Sequence, residues 1–366
     1  MLVLLAKGSR GWHLLLTFAL LAGCAKTLDT ETPTKQSTKA GVLLRDCVVP
    51  MPGDVVSWTT PATVAYPDGV LWIFPSVNLS DGALVRGAAT WLASADAACA
   101  GPPELLRKPD GSLASLLALN GPEVAANASR TDGRSFALVP QAGFSDAGVG
   151  YLYYDHVLIG PGASDPDLVG TGVCVLDIVA GTCARAVDAN GSTVLWIGDD
   201  LPVRSAFVEA GTAYLLACRQ PASLMQSCTL ARVSPSGAAT PSAYQYFDAF
   251  QGWVASRAQG TQVLSDLAEV SLSFNPFLAR YVVLLTDPFG GKVSLRTSVA
   301  LDQSFGNLLP LFTAAASSPD SWIDGGAEQT SLRGEDGRVI HMLHGAGSSA
   351  ARELHFASYR FDQVVE

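Results

Sequence analysis

The sequence predicts an all-β protein with the architecture of a five-bladed β-propeller, and two observations carry this prediction. From Asp46 onward, short alternating or wholly apolar runs are separated by Gly, Pro, Asp and Ser, which is typical of strands joined by turns. A unit made of a turn and an apolar strand then recurs along the chain. Helical periodicity is weak throughout, and only residues 103–119 show a modest helical pattern.

The recurring unit usually carries an aromatic residue three positions past a glycine in its turn. Its five copies align on one turn position, at Gly69, Gly148, Gly211, Leu278 and Gly337, with spacings of 79, 63, 67 and 59 residues. A short strand is expected before several copies, most clearly at 62–66, 205–208 and 271–275. One hairpin per repeat, with room for four strands, is typical of propeller blades. Chance recurrence of hairpins in a β-sandwich is the alternative, and five copies favour the propeller.

Composition limits the classes of partner. The chain of 366 residues is 48% hydrophobic and 15% charged, which is enough apolar material for one large core. Its formal net charge is -10, and no cluster of basic residues follows the first 24 residues. Because a nucleic-acid surface needs clustered Lys and Arg, we expect no nucleic-acid partner.

The first 24 residues predict export. Lys7 and Arg10 precede an apolar run at 14–22, which is typical of a secretory signal and too short to span a bilayer. The ending Leu-Ala-Gly-Cys24 resembles the lipobox of bacterial lipoproteins, in which the cysteine is diacylated and becomes the mature N-terminus. An ordinary cleaved signal with a spare cysteine is the alternative. Two or more acyl chains would give stable membrane anchoring.

This pattern predicts three segments and a location. Residues 1–23 form the lipoprotein signal peptide, residues 24–45 the lipidated N-terminus and a flexible tether, and residues 46–366 the propeller. Ala25 follows the cysteine where Gram-negative lipoproteins retained at the inner membrane carry an aspartate. The resemblance therefore implies a lipid-anchored, extracytoplasmic protein of a Gram-negative outer membrane.

Six cysteines follow Cys24, and an even number in an exported chain favours disulfides. Proximity along the chain favours Cys174–Cys183 and Cys218–Cys228, each closing a loop of hairpin size, which leaves Cys47–Cys99 as the third pair. Free buried thiols are the alternative. No CxxC pair is present, so a zinc ribbon is not supported.

One part of the chain, roughly residues 190–300, has a specific family resemblance. In order along the chain, this part contains a Leu-Ala-Arg-Val strand at 230–233, the turn Tyr-Gln-Tyr-Phe at 244–247, Trp253, and Ser-Phe-Asn-Pro-Phe-Leu-Ala-Arg-Tyr at 273–281. This order resembles a poorly characterised group of exported five-bladed propeller proteins with glycosidase-like folds. Propellers of this general type include arabinanases and other glycoside hydrolases.

The resemblance implies where catalytic carboxylates would lie. In such hydrolases one acid protonates the leaving oxygen, and a second carboxylate activates water or attacks directly. At the matching points stand Thr60 in the first blade, Arg204 in the third and Gln329 in place of a terminal-blade histidine. Only Glu269 occupies an expected acidic position, as a candidate general acid. Two of three carboxylates are missing, which favours the loss of hydrolysis.

Other residues are candidates for binding a ligand. Trp253 could stack on a sugar ring, Arg204 replaces a carboxylate, and Asp155 could hold a ligand together with the adjacent His156. His341 and His344 lie three apart on one strand, so alternation sends them to opposite faces and they are not expected to share an ion. No cofactor or metal site is identified. Oxygen ligands scattered over blades leave no short motif, so a calcium ion in the central channel stays open.

The sequence therefore predicts a surface-anchored, carbohydrate-binding, glycosidase-like propeller that has lost the standard catalytic carboxylates. Its expected partners are a polysaccharide or cell-surface glycan and, through the lipid, a membrane. One alternative is an active glycoside hydrolase with Glu269 as general acid and an unidentified second carboxylate. The other is a cell-surface scaffold that binds protein.

Overall fold

Antiparallel strands account for most of the ordered backbone in the computed structural model of this chain. The structure describes residue 38 and residues 40–160, 166–219, 226–267, 269–287, 290–314, 322–347 and 352–363. All of them belong to one compact unit spanning residues 35–366. Cys24 and the rest of the predicted signal peptide lie outside the described residues.

The strands follow one another with few interruptions. The first twelve are β1 Gly41–Val48, β2 Val55–Trp58, β3 Ala62–Tyr66, β4 Gly69–Phe74, β5 Val77–Leu79, β6 Leu84–Val85, β7 Ala88–Leu92, β8 Ser135–Asp146, β9 Val149–Ile159, β10 Asp167–Asp177, β11 Thr182–Arg185 and β12 Trp196–Ile197. The others are β13 Val203–Glu209, β14 Thr212–Arg219, β15 Gln226–Val233, β16 Gln245–Asp248, β17 Gly252–Val254, β18 Gln262–Leu267, β19 Glu269–Asn275, β20 Arg280–Thr286, β21 Lys292–Ser298, β22 Leu309–Thr313, β23 Trp322–Glu328, β24 Val339–Gly347 and β25 Arg352–Phe361.

Helices are short and peripheral. The α-helices are α1 Ala97–Ala100 and α2 Gly121–Ser129, and single 3-10 turns lie at Pro235–Gly237, Pro241–Ala243, Arg257–Gln259, Thr330–Leu332 and Glu335–Gly337. The helical pattern that we noted at 103–119 does not form a helix. Helix α2 begins just after it, where Asn120 and Glu123 form a reciprocal capping box. No helix of the described residues has the length and apolarity to cross a membrane.

The strands pair into sheets of sequence neighbours. Two sheets contain four strands, in the orders β1-β25-β24-β23 and β19-β20-β21-β22. Two larger sheets are β11-β10-β9-β8, which β12 joins, and β13-β14-β15-β16-β17, which β18 joins. The remaining two sheets have three strands each, in the orders β3-β4-β7 and β2-β5-β6. They are joined by one long hairpin, in which β4 and then β5 run out, and β6 and then β7 return beside them. The all-β propeller class is confirmed, and the count of five blades stays a prediction.

Each predicted repeat is a hairpin between the first two strands of a sheet. In the second and third repeats, Ala147-Gly148 and Ala210-Gly211 both adopt positive φ, as a two-residue turn matched to strand twist requires. Glycine tolerates this conformation without a side-chain clash, which explains its recurrence at the turn. Leu278 replaces glycine in the fourth repeat, where the Asn275 side chain accepts a hydrogen bond of 3.0 Å from the Leu278 amide instead.

The first strands of successive sheets contact one another in chain order: β3 with β8, β8 with β13, β13 with β19, and β19 with β23. We call these five the inner strands. Serine hydroxyls join their backbones, since the Ser145 hydroxyl donates to the Ala65 carbonyl at 2.6 Å and the Ser205 hydroxyl accepts from the Leu272 amide at 2.8 Å. The inner strands therefore line up side by side, and the residues that begin them lie at one end of the molecule.

The apolar core lies between facing sheets. All six residues of β4 and all nine of β24 are buried, because each of these strands packs against other sheets on both faces. This burial on two faces explains why these strands are rich in apolar residues and show little alternation of polar and apolar positions.

The first strand of the domain closes the last sheet. Strand β1 pairs with β25 over most of its length, from Gly41 opposite Phe361 to Val48 opposite His355. Strand pairing therefore reaches into residues 41–45, which we expected to belong to the tether. The Cys47–Cys99, Cys174–Cys183 and Cys218–Cys228 disulfides are all formed.

Candidate functional site

A buried carboxylate, Asp155, is the centre of the polar cluster beside the middle of β8 and the start of β13. Its Oδ2 atom accepts hydrogen bonds from Gln141 Nε2 at 2.8 Å and from Arg204 Nη1 at 2.9 Å. Its Oδ1 atom accepts from the Thr171 hydroxyl at 3.2 Å. The Asp155 side chain is 4% exposed and the Arg204 side chain 19% exposed. We call these four residues the Asp155 cluster.

Backbone irregularities aim two members of this cluster. The pairing of β8 with β9 shifts between Pro140 and Ala142, and the pairing of β13 with β14 shifts between Val203 and Ser205. The residues inside these two bulges are Gln141 and Arg204. A bulge takes its residue out of the ordinary alternation of strand faces. Both side chains can therefore converge on Asp155, which lies on β9.

The arrangement neutralises the carboxylate. A buried ionised group is stable only when it is paired and hydrogen-bonded, and Asp155 has one cationic and two neutral donors. A general base needs a free lone pair directed at a water or a hydroxyl. Because Arg204, Gln141 and Thr171 already use the Asp155 oxygens, this carboxylate holds the arginine in place. Arg204 then keeps Nη2 and Nε, which make no hydrogen bond to the described residues.

The structure brings together two of the ligand-binding candidates, Arg204 and Asp155, and separates a third residue. Asp155 lies within β9 and not at its end as we expected, so alternation sends the adjacent His156 to the opposite face. There His156 packs against Phe136, with ring centroids 5.1 Å apart, and burial lowers its pKa. The expected Asp-His pair therefore does not converge on one ligand.

Trp253 has a different environment from the Asp155 cluster. It lies on β17 and packs against Phe247 and Tyr214. The Arg232 guanidinium lies 4.2 Å from the centroid of its ring. The arginine covers one face of the indole through a cation–π contact, and a sugar ring would need to displace it.

Glu269 is the first residue of β19, and its backbone pairs with that of Thr286. Its side chain lies outside the described part of the chain. Thr60 just precedes β3 and lies beside Gly325 of β23, where a methyl group on the glycine would come within 2.8 Å of the Thr60 Cγ2 atom. The first and last inner strands are therefore neighbours at this end.

Gln329, which replaces the expected terminal-blade histidine, is fully buried. Its Oε1 atom accepts a hydrogen bond of 2.9 Å from Trp72 Nε1, and its Nε2 atom donates to the Ala327 carbonyl at 2.8 Å. Both ends of the amide are thus used to join the last sheet to β4 of the first. Gln329 therefore has a structural role.

A cavity at the other end of the inner strands was missed by sequence reasoning. It has a volume of about 400 Å³, and five of its lining residues are Tyr66, Phe144, Phe207, Glu209 and Arg333. The turns at this end have the sequence pattern of ordinary hairpin turns, so the local pattern did not predict a cavity there. Tyr66, Phe144 and Phe207 each lie near the end of an inner strand, and only the assembly of these strands brings them to one cavity.

A salt bridge joins this cavity to the interior. Arg333 Nε donates to Glu328 Oε1 at 2.6 Å, and Arg333 Nη2 donates to the Ser273 hydroxyl at 2.7 Å. Glu209 accepts a hydrogen bond of 2.6 Å from the Tyr281 hydroxyl. Both carboxylates near this cavity therefore have structural partners.

Comparison with known proteins gives similarity at the level of the fold. No family model and no curated protein sequence matches the chain. A crystal structure of a Bacteroides ovatus protein described as a hydrolase has 11% sequence identity and a TM-score of 0.53, over 83% of this chain and 86% of that one. At this identity the similarity concerns the fold alone.

Two further solved structures are enzymes with lower TM-scores. A GH43_1 enzyme from Xanthomonas citri has 11% identity and a TM-score of 0.49, over 86% of this chain and 89% of that one. The arabinanase of Bacillus subtilis has 10% identity and a TM-score of 0.44, over 84% of this chain and 96% of that one.

Proposed function

We propose that this protein is a surface-anchored, carbohydrate-binding propeller with a glycosidase-like fold and without the standard catalytic carboxylates. The observation that carries the proposal is the Arg204–Asp155 salt bridge at the start of the inner strands. Where the family resemblance implies a carboxylate, this chain has an arginine, and that arginine ties up the buried acid beside it.

The chemistry of hydrolysis supports this proposal. Cleavage of a glycosidic bond needs two carboxyl groups on opposite sides of the bond, one to protonate and one to activate water or attack. Thr60 and Arg204 supply neither function, and Asp155 already accepts three hydrogen bonds. A partly exposed guanidinium instead offers N–H donors to sugar hydroxyls or to the carboxylate of an acidic sugar.

Binding is tested with a panel of neutral and acidic polysaccharides, using the purified protein and isothermal titration calorimetry. We expect one class of glycan to bind wild-type protein and Arg204→Lys to weaken it by about tenfold, because lysine keeps the charge but loses the planar fork of donors. Arg219→Gln is the matched control, since Arg219 is a half-exposed arginine paired with Asp199 outside the cluster. Equal affinity in Arg204→Lys and wild type would place the glycan elsewhere.

Hydrolysis is tested separately by measuring reducing sugar released from the same panel. We expect no release above that of the buffer. Release that disappears in Glu269→Gln would establish the alternative, an active hydrolase with Glu269 as general acid. If the protein binds another protein and binds no glycan, the alternative of a protein-binding cell-surface scaffold would be established.

We propose that anchoring occurs through a lipid on Cys24, as the signal sequence predicts. In the bacterial cell, wild-type protein should incorporate a labelled fatty acid and partition with membranes. Cys24→Ser should lose both properties and appear in the soluble fraction, whereas Cys47→Ser should keep the label. Unchanged labelling of Cys24→Ser would contradict lipidation at this residue.

A further inference from the structure

Three side chains from three adjacent strands meet on one face of the last sheet. Asp46 lies on β1, His355 on β25 and His344 on β24, and the two histidines stand directly opposite each other in the β24–β25 ladder. One nitrogen or oxygen atom from each of the three lies within 4.8 Å of the others. Asp46 Oδ1 is 3.2 Å from His355 Nδ1 and 3.9 Å from His344 Nε2.

The cluster is shielded from solvent. His344 is fully buried, and the side chains of Asp46 and His355 are each 5% exposed. The Phe312 ring of β22 lies 6.5 Å from the His344 ring, so the cluster faces the neighbouring β19–β22 sheet. Burial of this kind removes bulk water from the nitrogen and oxygen atoms.

His344 supplies the observation that points to a ligand. Neither of its ring nitrogens has a hydrogen-bond partner among the described residues, although both are buried. An imidazole nitrogen left unpaired in the interior is unfavourable, because it loses the hydrogen bonds that water gives it in the unfolded chain. Such an atom usually contacts a water or an ion, and here the Nε2 atom points toward a carboxylate and a second histidine.

We propose that Asp46, His344 and His355 form a binding site for one divalent transition-metal ion, for which Zn²⁺ is the best chemical match. Two imidazole nitrogens and one carboxylate oxygen are a donor set that Zn²⁺ accepts in proteins. In a tetrahedral site with bonds of about 2.1 Å, ligand atoms lie about 3.4 Å apart. The two distances from Asp46 Oδ1, 3.2 and 3.9 Å, lie on either side of this value, and all three donor atoms lie within 4.8 Å of one another.

The surroundings of the cluster support the assignment. Glu353 Oε2 lies 3.4 Å from His355 Nε2, the ring nitrogen that faces away from Asp46. Histidines that bind metal commonly present their other nitrogen to a carboxylate, which fixes the ring and raises its basicity.

The bound ion would act as a clamp. It would join the first strand of the domain, β1, to the C-terminal hairpin β24–β25, which is the pairing that closes the last sheet. Cys47, the neighbour of Asp46, is linked to Cys99 of α1. The closing strand would therefore be fastened by a covalent bond at Cys47 and by a metal at Asp46.

The test measures Zn²⁺ content and affinity in the full-length protein, by elemental analysis after dialysis and by calorimetry. We expect one tightly bound ion per chain, and a visible absorption spectrum of tetrahedral type when Co²⁺ replaces it. Asp46→Asn and His355→Gln should abolish binding, and Glu353→Gln should weaken it by about tenfold. The matched control is His341→Gln on the same strand, since His341 faces the other side and bonds to Ser358.

Thermal unfolding with and without Zn²⁺ is a second test, which also serves when a variant is too unstable for analysis of its metal content. Ligand binding to the folded state should raise the melting temperature of wild-type protein by about 5 °C at a Zn²⁺ concentration 100 times Kd. Asp46→Asn, which preserves shape, should unfold at the same temperature with and without Zn²⁺. The proposal is overturned if wild-type protein retains no more Zn²⁺ than Asp46→Asn, or if His341→Gln loses the ion as well.

Discussion

Several polar side chains in this protein are held in position by hydrogen-bond partners that are distant in sequence. Gln329 is paired with Trp72, which lies 257 positions away along the chain, and Asp155 is paired with Arg204 across two sheets. Each pairing uses a position where the family resemblance implies a catalytic or binding group. At the residue scale, side chains at the expected functional positions have acquired partners that stabilise the fold.

His341 makes stability depend on pH. Burial, together with the nearby positive charge of Arg45, lowers its pKa to about 4. Below pH 6.5 the unfolded chain binds a proton at this histidine that the folded protein does not bind. The free energy of unfolding should therefore fall as pH drops from 6.5 toward 4, with His341 contributing up to about 3 kcal/mol of the loss.

This prediction is checked by urea unfolding at pH 7 and pH 4.5. His341→Asn should lose less stability between the two values than wild type, because asparagine does not titrate. The variant also needs to be measured at pH 7, where any cost of losing the bond to Ser358 appears on its own. Equal losses in both proteins would show that His341 is protonated in the folded state.

At the scale of elements, the disulfides differ in what they constrain. The Cys174–Cys183 and Cys218–Cys228 bonds join neighbouring strands, β10 with β11 and β14 with β15, at separations of 9 and 10 residues. Cys47–Cys99 joins β1 to α1 across 52 residues. The hairpin bonds reinforce contacts that strand pairing already makes, whereas the longer bond ties the closing strand to another part of the domain.

Removing the long disulfide should cost more stability than removing a short one. Chain-entropy arguments give about 4 kcal/mol for the Cys47–Cys99 loop and about 2.5 kcal/mol for the Cys174–Cys183 loop. Cys47→Ala/Cys99→Ala should therefore unfold at a lower urea concentration than Cys174→Ala/Cys183→Ala. The reverse order would mean that native-state packing at the hairpin outweighs loop closure.

At the scale of the whole molecule, β1 is the strand that brings the two ends of the domain together. Without it, β25 would expose an unpaired edge, and exposed edges favour aggregation. The strand also contributes buried Leu43 to the core between the last two sheets. Pairing of the first strand with the last hairpin thus makes folding depend on both ends of the domain.

Two truncations test this dependence. Removal of residues 1–37 should leave a single cooperative unfolding transition, because Thr38 is the first residue with a described contact to the domain, a 2.7 Å hydrogen bond to the Tyr359 hydroxyl. Removal of residues 1–49 should abolish cooperative unfolding or yield aggregates. Calorimetry and light scattering report both outcomes. A cooperative transition in the longer truncation would show that the last sheet folds without β1.

Local pattern was sufficient for part of this fold. The positive-φ turn glycine Gly211 and the wholly buried apolar strand β4 leave their mark in a few consecutive residues, so the hairpins at 205–217 and 62–74 could be predicted. The proximity of cysteines along the chain likewise predicted two of the disulfide pairs and left the third pair by elimination. The helix at Gly121–Ser129 was missed, because its nine residues carry a capping box but only a weak apolar face.

Side-chain constellations depended on the tertiary structure. Sequence alternation correctly placed His341 and His344 on opposite faces, but His355 and Asp46 join His344 only because β25 pairs with both β24 and β1. Gln141 and Arg204 both reach Asp155 because a bulge at each of them breaks the alternation of β8 and β13. Local periodicity reports which face a residue occupies, and it carries no record of strand partners tens or hundreds of residues away. The sequence by itself therefore determined the fold class and the hairpins, whereas the packing of distant strands decided which polar groups meet.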